Sequence, residues 1–190
     1  FIYIKHDIIM NYHITKNTMD IKVKSKVFYP SHGAGWVKRE KEIEFNGERK
    51  KYFEFELINN PLTISTPIEN IEMLGIRPVR DGKDIRETIK ALKNKPTKKP
   101  DTKDFNNLMS ILQELESRAT IEGDIEIIQI CNHIIKSREK EGRLIPVTIE
   151  KQLSQAISDI TGELAVSEDT SLEKAQSSFA RITGIKVPEE

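Results

Sequence analysis

Residues 27–37 read Val27-Phe28-Tyr29-Pro30-Ser31-His32-Gly33-Ala34-Gly35-Trp36-Val37. An apolar run ends at Pro30, passes two glycines and resumes as a second apolar run. Because glycine permits positive φ and close backbone approach, this pattern predicts a strand, a tight turn and a second strand. His32 lies in that turn with no second ligand or acid–base partner near it in the sequence, so we interpret it as structural.

From residue 21 to residue 67, apolar residues recur at about every second position. Apolar and acidic residues alternate on both sides of Asn46-Gly47, a pair that favours a two-residue hairpin because both turn positions need positive φ. Asn-Asn-Pro at 59–61 marks another turn, and Leu62 to Thr66 read as a strand that Pro67 ends. Such short strands indicate a small, strongly bent sheet or barrel, with a core predicted to contain Phe28, Trp36, Phe53 and Phe55.

From residue 83 onward, apolar residues recur at the spacing of a helix face. A short helix carries Ile85, Ile89 and Leu92, residues 95–100 read as a linker, and Asp101 or Thr102 is expected to cap the next helix. Helical stripes follow at Phe105-Leu108-Leu112-Leu115-Ala119, at Ile127-Cys131-Ile134 in a helix starting at Asp124 after Gly123, at Ile149-Leu153-Ile157-Ile160-Leu164, and at Leu172-Ala175-Phe179-Ile182 in a helix from about Ser171. Each stripe needs neighbours to cover it, so a bundle of four or five helices is predicted.

The predicted fold class is therefore α+β, with a small SH3/Tudor-like β-barrel followed by an all-α helical bundle. We expect the barrel at 21–82, a basic helix and linker at 83–103, and the bundle at 104–185. Residues 1–20 read as a poorly ordered extension, and Met19 within it is a candidate for the true start. They lack the basic start, clean apolar stretch and cleavage site of a signal peptide.

The composition indicates a cytoplasmic protein. Charged residues make up 32% and hydrophobic residues 37% of the 190, and no apolar run reaches the roughly 20 residues of a membrane span. A single cysteine, Cys131, suits a reducing compartment, and its place in an apolar stripe favours a buried hydrophobe over a nucleophile. We find no phosphate-binding glycine loop, HExxH, CxxC or catalytic triad pattern, so an enzyme is not expected, and no cofactor or metal.

The net charge of zero hides an uneven distribution. Residues 83–103 carry eight basic and three acidic side chains, whereas residues 104–190 carry nine basic and sixteen acidic ones. A basic belt between two modules can bind phosphates, but charge alone favours the alternative, a solvated helix end and linker.

The chain resembles the CarD/CdnL family of bacterial transcription regulators over about residues 21–184. The resemblance is carried by residues 27–37, the Gly47 turn, Pro67-Ile68-Glu69-Asn70, Leu74-Gly75-Ile76-Arg77-Pro78-Val79 and, in the helical part, Glu122-Gly123-Asp124, Arg138-Glu139-Lys140-Glu141-Gly142, Glu150-Lys151 and Glu163-Leu164-Ala165. It implies a nucleoid-associated regulator, monomeric and without membrane contact, that binds the RNA polymerase β subunit and promoter DNA. The barrel module is shared with the transcription-repair coupling factor.

The resemblance also implies a polymerase-contacting strand at the sheet edge. By position it falls on Leu62, Thr63, Ile64, Ser65 and Thr66, and backbone pairing would supply the affinity. Relatives often carry arginines where this chain has Ile43 and Ser65. The partner surface has therefore changed with them, or uses the nearby Arg39, Lys41 and Arg49.

The resemblance further implies a tryptophan that wedges into the DNA minor groove at the upstream edge of the transcription bubble. In this chain the position of that tryptophan holds Met109. The basic residues that follow it in relatives are replaced by Ser110, Ile111 and Leu112. Met109 is either an exposed wedge or part of the core, and the stripe position of the nearest aromatic, Phe105, favours burial. DNA contact would then depend on Lys98, Lys99, Lys103 and Arg118. Two functions remain: a regulator that stabilises the open complex, or a protein–protein adaptor on polymerase without wedge activity.

Overall fold

The computed structural model describes residues 21–45, 47–94 and 104–188, and it confirms the α+β class. Five strands form one antiparallel sheet in the order β4-β3-β2-β1-β5. They are β1 (Lys26–Tyr29), β2 (Gly33–Phe45), β3 (Glu48–Leu57), β4 (Asn60–Pro67) and β5 (Arg77–Pro78). The strand, turn and strand predicted from residues 27–37 are β1 and the start of β2, with Ser31 at φ 64° in the turn and Gly33 at φ 90° as the first residue of β2.

The sheet curls around an apolar core. Buried members include Val27, Phe53, Phe55, Leu57, Ile71 and Ile76. The hydroxyls of Tyr29 on β1 and Thr66 on β4 lie 3.1 Å apart inside the curl, although two strands separate β1 from β4. The sheet is therefore barrel-like, as expected. His32 packs edge-on to the ring of Tyr29, in agreement with a structural role.

Two predicted core aromatics lie between the sheet and the helices. Phe28 is buried, but it belongs to a separate cluster with Ala34 of β2 and Val166 of the helical part. Trp36 is half-buried at the margin of the same cluster. Both residues therefore join the two parts of the chain, because one face of β1 and β2 is covered by a helix.

Within the described residues, five α-helices follow the sheet, in agreement with the predicted bundle. They are α1 (Gly82–Thr88), α2 (Phe105–Ser117), α3 (Ile121–Lys140), α4 (Val147–Ser167) and α5 (Leu172–Thr183), and a 3-10 helix (Ile89–Lys93) extends α1. A second 3-10 helix (Ile68–Asn70) lies between β4 and β5. Gly142, at φ 65°, follows α3, and Ser171 caps α5, both as predicted. Cys131 is fully buried, and burial raises the pKa of its thiol to about 12.

Two helix starts differ from the prediction. Asp104, not Asp101 or Thr102, caps α2 by accepting the Asn107 N–H, and residues 101 and 102 lie outside the described residues. The third helix starts at Ile121, because Thr120 is its cap, so Gly123 and Asp124 lie within the first turn. A Cβ on Gly123 would come within 2.8 Å of the Leu115 carbonyl oxygen, so this glycine serves close packing.

Helix α4 joins the sheet to the bundle. The Asn59 amide, just before β4, donates to the carbonyl and the hydroxyl of Ser158. A Cβ on Gly162, one turn later, would come within 2.8 Å of the Asn59 amide nitrogen. The Lys26 ammonium of β1 donates to the Ser167 carbonyl at the C-terminal end of α4. The close approach of α4 therefore depends on a glycine and on polar contacts along its length.

Candidate functional site

The long free edge of the sheet is β4. Six of its eight residues pair with β3 on one side, and no other described strand pairs with it. The opposite edge, β5, has two residues, and Pro78 has no N–H to donate. The predicted contact strand, Leu62 to Thr66, therefore lies along the edge that offers unpaired backbone groups to a partner.

Side chains of β4 divide between the two faces of the sheet. Thr63 and Ser65 are exposed, whereas Ile64 packs against the sheet core and Thr66 is buried beside Tyr29. Thr66 is thus placed to contribute its backbone, not its side chain, to a partner. The alternation is that expected of a strand with one face on the core.

Three residues form a row across the outward face at the middle of this edge. Ser65 of β4 lies opposite Glu54 of β3, and Glu54 lies opposite Arg39 of β2. A β-bulge between Val37 and Arg39 leaves Lys38 without an opposite residue on β3. Because of this bulge, Arg39 lies on the same face of the sheet as Trp36. The bulge therefore places a cation two strands from the free edge.

Glu54 was not anticipated as part of this site. Its carboxylate accepts hydrogen bonds from Arg39 Nη2 and Lys41 Nζ, each at 3.0 Å, and only 6% of the residue is exposed. These hydrogen bonds, from Arg39 first and Lys41 second, lower the pKa of Glu54. The only sequence signal was an acidic residue in β3, and its partners became visible only with the strand register.

Two other predicted polymerase contacts lie away from the free edge. Ile43 and Arg49 pair with Lys50 and Glu44, beyond the point where β4 stops pairing with β3. Arg49 is exposed and its Nε donates to the Glu44 carboxylate at 3.2 Å. The structure thus brings Arg39 and Lys41 near the edge, and it places Ile43 and Arg49 on the two-stranded arm of the hairpin.

The predicted DNA contacts divide into described and undescribed residues. Lys98, Lys99 and Lys103 lie outside the described residues. Arg118 is exposed just after α2 and donates to Glu114 at 2.9 Å. Met109 is half-buried and packs against the core of the helical bundle, which agrees with the core alternative.

Phe105 is exposed, contrary to the prediction from its stripe. It is 41% exposed as the first residue of α2, and the buried residues of that helix begin one turn later at Leu108. Helical side chains lean toward the N-terminus, so Phe105 extends past the packed part of α2. Phe105 and Met109 are four residues apart and therefore neighbours on one helix face.

A group of carboxyls on α3 and α4 lies around an arginine of the sheet. Asp124, Asp159 and Glu163 are all more than nine-tenths buried, and Arg77 of β5 is the cation among them. Burial first, and then Asp159 and Glu163, raise the pKa of Asp124 well above its ordinary value. Burial likewise raises the pKa of Asp159 to about 6.

These carboxyls do not form a metal centre. Within residues 21–45, 47–94 and 104–188, no three His, Cys, Asp or Glu side chains come together as a group that could hold a metal ion. In the same part of the chain, no helix is both long and apolar enough to cross a membrane. The acidic group is therefore a feature of the junction between sheet and helices.

The comparisons with known proteins concern the sheet. Residues 21–80 match the family described as the CarD-like/TRCF RID domain. The chain is also 32% identical over 60 residues to "Putative transcription factor YdeB" of Bacillus subtilis (strain 168). That match covers 32% of this chain and 39% of the relative, so the chain spans about two fifths of the relative's length. The curled sheet with its free β4 edge thus lies within the stretch of the chain that is similar to the CarD-like/TRCF RID domain.

Proposed function

We propose that this protein is a transcription regulator that docks on the β subunit of RNA polymerase through the β4 edge. The observation that carries the proposal is a free edge of eight residues in a sheet that is similar to the CarD-like/TRCF RID domain. A partner strand that pairs with this edge gains affinity from backbone hydrogen bonds and selectivity from the exposed Thr63 and Ser65.

Charge on the outward face supports the same surface. The Arg39 side chain is 64% exposed although one of its nitrogens is bound to Glu54. The guanidinium has five N–H donors, so it keeps several for a partner carboxylate. Glu54 holds Arg39 and Lys41 in place, and this lowers the conformational entropy that they lose on binding.

We further propose that the helical part contacts promoter DNA near the upstream edge of the bubble and stabilises the open complex. Phe105 is exposed at the start of α2, directly after the segment that contains Lys98, Lys99 and Lys103. Apolar side chains that insert between base steps unstack them, and neighbouring lysines bind phosphates. Phe105 thus has the exposure that a wedge requires, which Met109 has only in part.

The adaptor alternative is favoured by one observation. Met109, at the position of the expected wedge, packs against the bundle core. Under that alternative the protein binds polymerase and leaves open-complex lifetime unchanged. Heparin challenge of preformed open complexes, with and without the full chain, separates the two. A longer half-life supports the regulator, whereas an unchanged half-life with intact polymerase capture supports the adaptor.

The edge itself is tested with two adjacent proline substitutions. In an antiparallel pair the N–H groups of neighbouring residues point to opposite sides of the strand, so one of Ile64 and Ser65 donates toward the free edge. Proline at that position removes a donor that only a partner uses, whereas proline at the other breaks the β3–β4 ladder.

The measurement is capture of RNA polymerase by the immobilised full chain, with a melting curve for each variant. Of Ile64→Pro and Ser65→Pro, we expect the variant at the position whose N–H faces the free edge to keep its melting temperature and lose capture. The other variant should melt at a lower temperature. Capture retained by the variant that stays folded would show that β4 does not bind the polymerase.

A further inference from the structure

A surface groove of about 490 Å³ lies between α1, the turn after α4 and α5. Its lining contains three cations and three hydroxyls: Arg86, Lys174 and Arg181, with Thr170, Ser177 and Ser178. We name this surface the α5 groove. Cations and hydroxyls together are the side chains that bind phosphate oxygens in protein–nucleic acid complexes.

Arg86 is fixed at one wall of the α5 groove. Its Nε and Nη2 donate to the two carboxylate oxygens of Glu168 at 2.6 and 2.7 Å, and its Nη1 donates to the Ser178 hydroxyl. The hydrogen bond with Arg86 lowers the pKa of Glu168, so the carboxylate stays ionised and its charge is balanced within the pair. Glu168 therefore does not cancel the other two cations.

Lys174 and Arg181 supply the uncompensated charge. Both are exposed, and neither forms an ion pair with another residue of the described ranges. They are seven residues apart on α5, so they lie on one face of that helix, about two turns apart. Glu173 is the remaining carboxylate of the groove and offsets one of these two charges, so the three cations and two carboxylates of the lining leave a net charge of +1.

The described half of the basic belt adjoins the same helix. The 3-10 helix Ile89–Lys93 packs against α5 and carries Lys90 and Lys93, both exposed. Lys90 bonds to Glu87, whereas Lys93 has no ion pair with a described residue. The 3-10 helix and α5, which are some eighty positions apart in the sequence, are thus neighbours in the fold.

The chemistry of this surface favours nucleic acid over a membrane. The large apolar side chains that the described part of the chain exposes are Val23, Met73, Leu74, Phe105, Ile111, Leu144 and Val147. None of them lies on α1, its 3-10 extension or α5. A protein that binds a lipid surface usually adds apolar insertion to its charge, and this face offers none.

We infer that the α5 groove binds the phosphate backbone of nucleic acid, as a second contact separate from the start of α2. The inference rests on the proposed DNA contact and adds a surface to it. The groove would hold phosphates and carry no base specificity, because its polar groups are those that bind the backbone.

The test uses the full chain and a fluorescein-labelled DNA duplex of about twenty base pairs, titrated by anisotropy at several salt concentrations. Each lost phosphate contact lowers the slope of log K against log salt by about 0.9, so Lys174→Ala with Arg181→Ala should lower it by about 1 to 2. The control pair is Lys136→Ala with Lys140→Ala, two exposed cations on α3, a helix that does not contact α5 extensively.

Equal slopes for the groove variant and the wild-type chain would overturn the inference, and so would an equal loss in the control pair. Binding to vesicles that contain phosphatidylserine, without binding to the duplex, would overturn it in favour of a membrane. Polymerase capture is measured on the same variants. If the wild-type chain does not capture polymerase, the proposed docking is refuted. If capture is intact but the salt slope of the groove variant equals that of the wild-type chain, only the α5 groove is refuted.

Discussion

Arg77 of β5 and Glu163 of α4 form a bidentate ion pair, with Nη1–Oε1 at 2.7 Å and Nη2–Oε2 at 2.9 Å. The Glu163 side chain is 1% exposed, and its Oε1 also accepts the backbone N–H of Arg80 at 2.8 Å. The third Arg77 nitrogen, Nε, donates to the Ala119 carbonyl, and the guanidinium carbon lies 4.6 Å from the centre of the Phe28 ring. One arginine thus connects the sheet to two parts of the helical bundle, α4 and the turn between α2 and α3.

We expect Glu163→Gln to destabilise the protein by about 3 kcal/mol, because the substitution leaves the partly buried Arg77 without its counter-charge. Urea unfolding followed by circular dichroism measures the change. Glu122→Ala is the matched control. It removes an ion pair with Arg80 in which the Glu122 side chain is 58% exposed, and such pairs contribute at most about 1 kcal/mol. Similar losses of stability in the two variants would show that the Arg77–Glu163 pair contributes no more than an exposed ion pair.

The buried carboxyls predict a dependence of stability on pH. Because the folded-state pKa of Asp159 is about 6, above its ordinary value, the folded protein binds a proton more tightly than the unfolded chain. Asp159 therefore lowers stability at neutral pH, and this effect disappears as the pH falls through about 6 toward the unfolded value. Asp124 acts in the same direction.

Asp159→Asn should accordingly raise stability at pH 7.5 by about 1–3 kcal/mol and have little effect near pH 4. The asparagine oxygen can still accept the hydrogen bond that Gln155 donates to Asp159. Glu141→Gln serves as a control of opposite sign. The pKa of Glu141 is lowered by Arg143 and Ser137, so its contribution is present at neutral pH and lost in acid. Melting temperatures of the wild type and of Asp159→Asn are measured across this pH range. Parallel curves for the two proteins would contradict the prediction.

Gly162 and Asn59 should be energetically coupled. In Gly162→Ala the new methyl would lie 2.8 Å from the Asn59 amide nitrogen, which must move and lose its bonds to Ser158. We expect a loss of about 1–3 kcal/mol. In an Asn59→Ala background the obstacle is gone, and the higher helix propensity of alanine, about 1 kcal/mol, should offset most of the change. A double-mutant cycle measures the coupling, and additive losses would refute it.

Phe105 and Met109 should respond differently to truncation. Because Phe105 is exposed and Met109 packs against the core, Met109→Ala should cost about 1–3 kcal/mol of stability and Phe105→Ala less than about 1 kcal/mol. If Phe105 is the wedge, Phe105→Ala should shorten the open-complex half-life with polymerase capture intact. Ile111→Ala, which truncates another exposed apolar residue of α2, is the control. An equal effect of Ile111→Ala on the half-life would remove Phe105 from that role.

The sequence predicted those features that depend on local geometry. The turn between β1 and β2, the Gly142 end of α3 and the Ser171 cap of α5 each follow from the backbone preferences of a few adjacent residues. The burial of Glu54 and Asp124 could not be predicted in this way. Each acquires its surroundings from residues on other strands or helices, such as Arg39 and Asp159. Phe105 was placed wrongly, because apolar spacing does not reveal that the packed part of α2 starts one turn later.

The unequal edges of the sheet limit how copies of this protein could join. A fibre built by strand addition needs two complementary edges on every molecule, so that each newcomer leaves a fresh edge behind. Here one edge has eight residues, and the other has two, including Pro78. Two copies pairing β4 against β4 would use up both β4 edges, and β5 is too short to add another copy, so strand addition at these two terminal strands would end at a dimer.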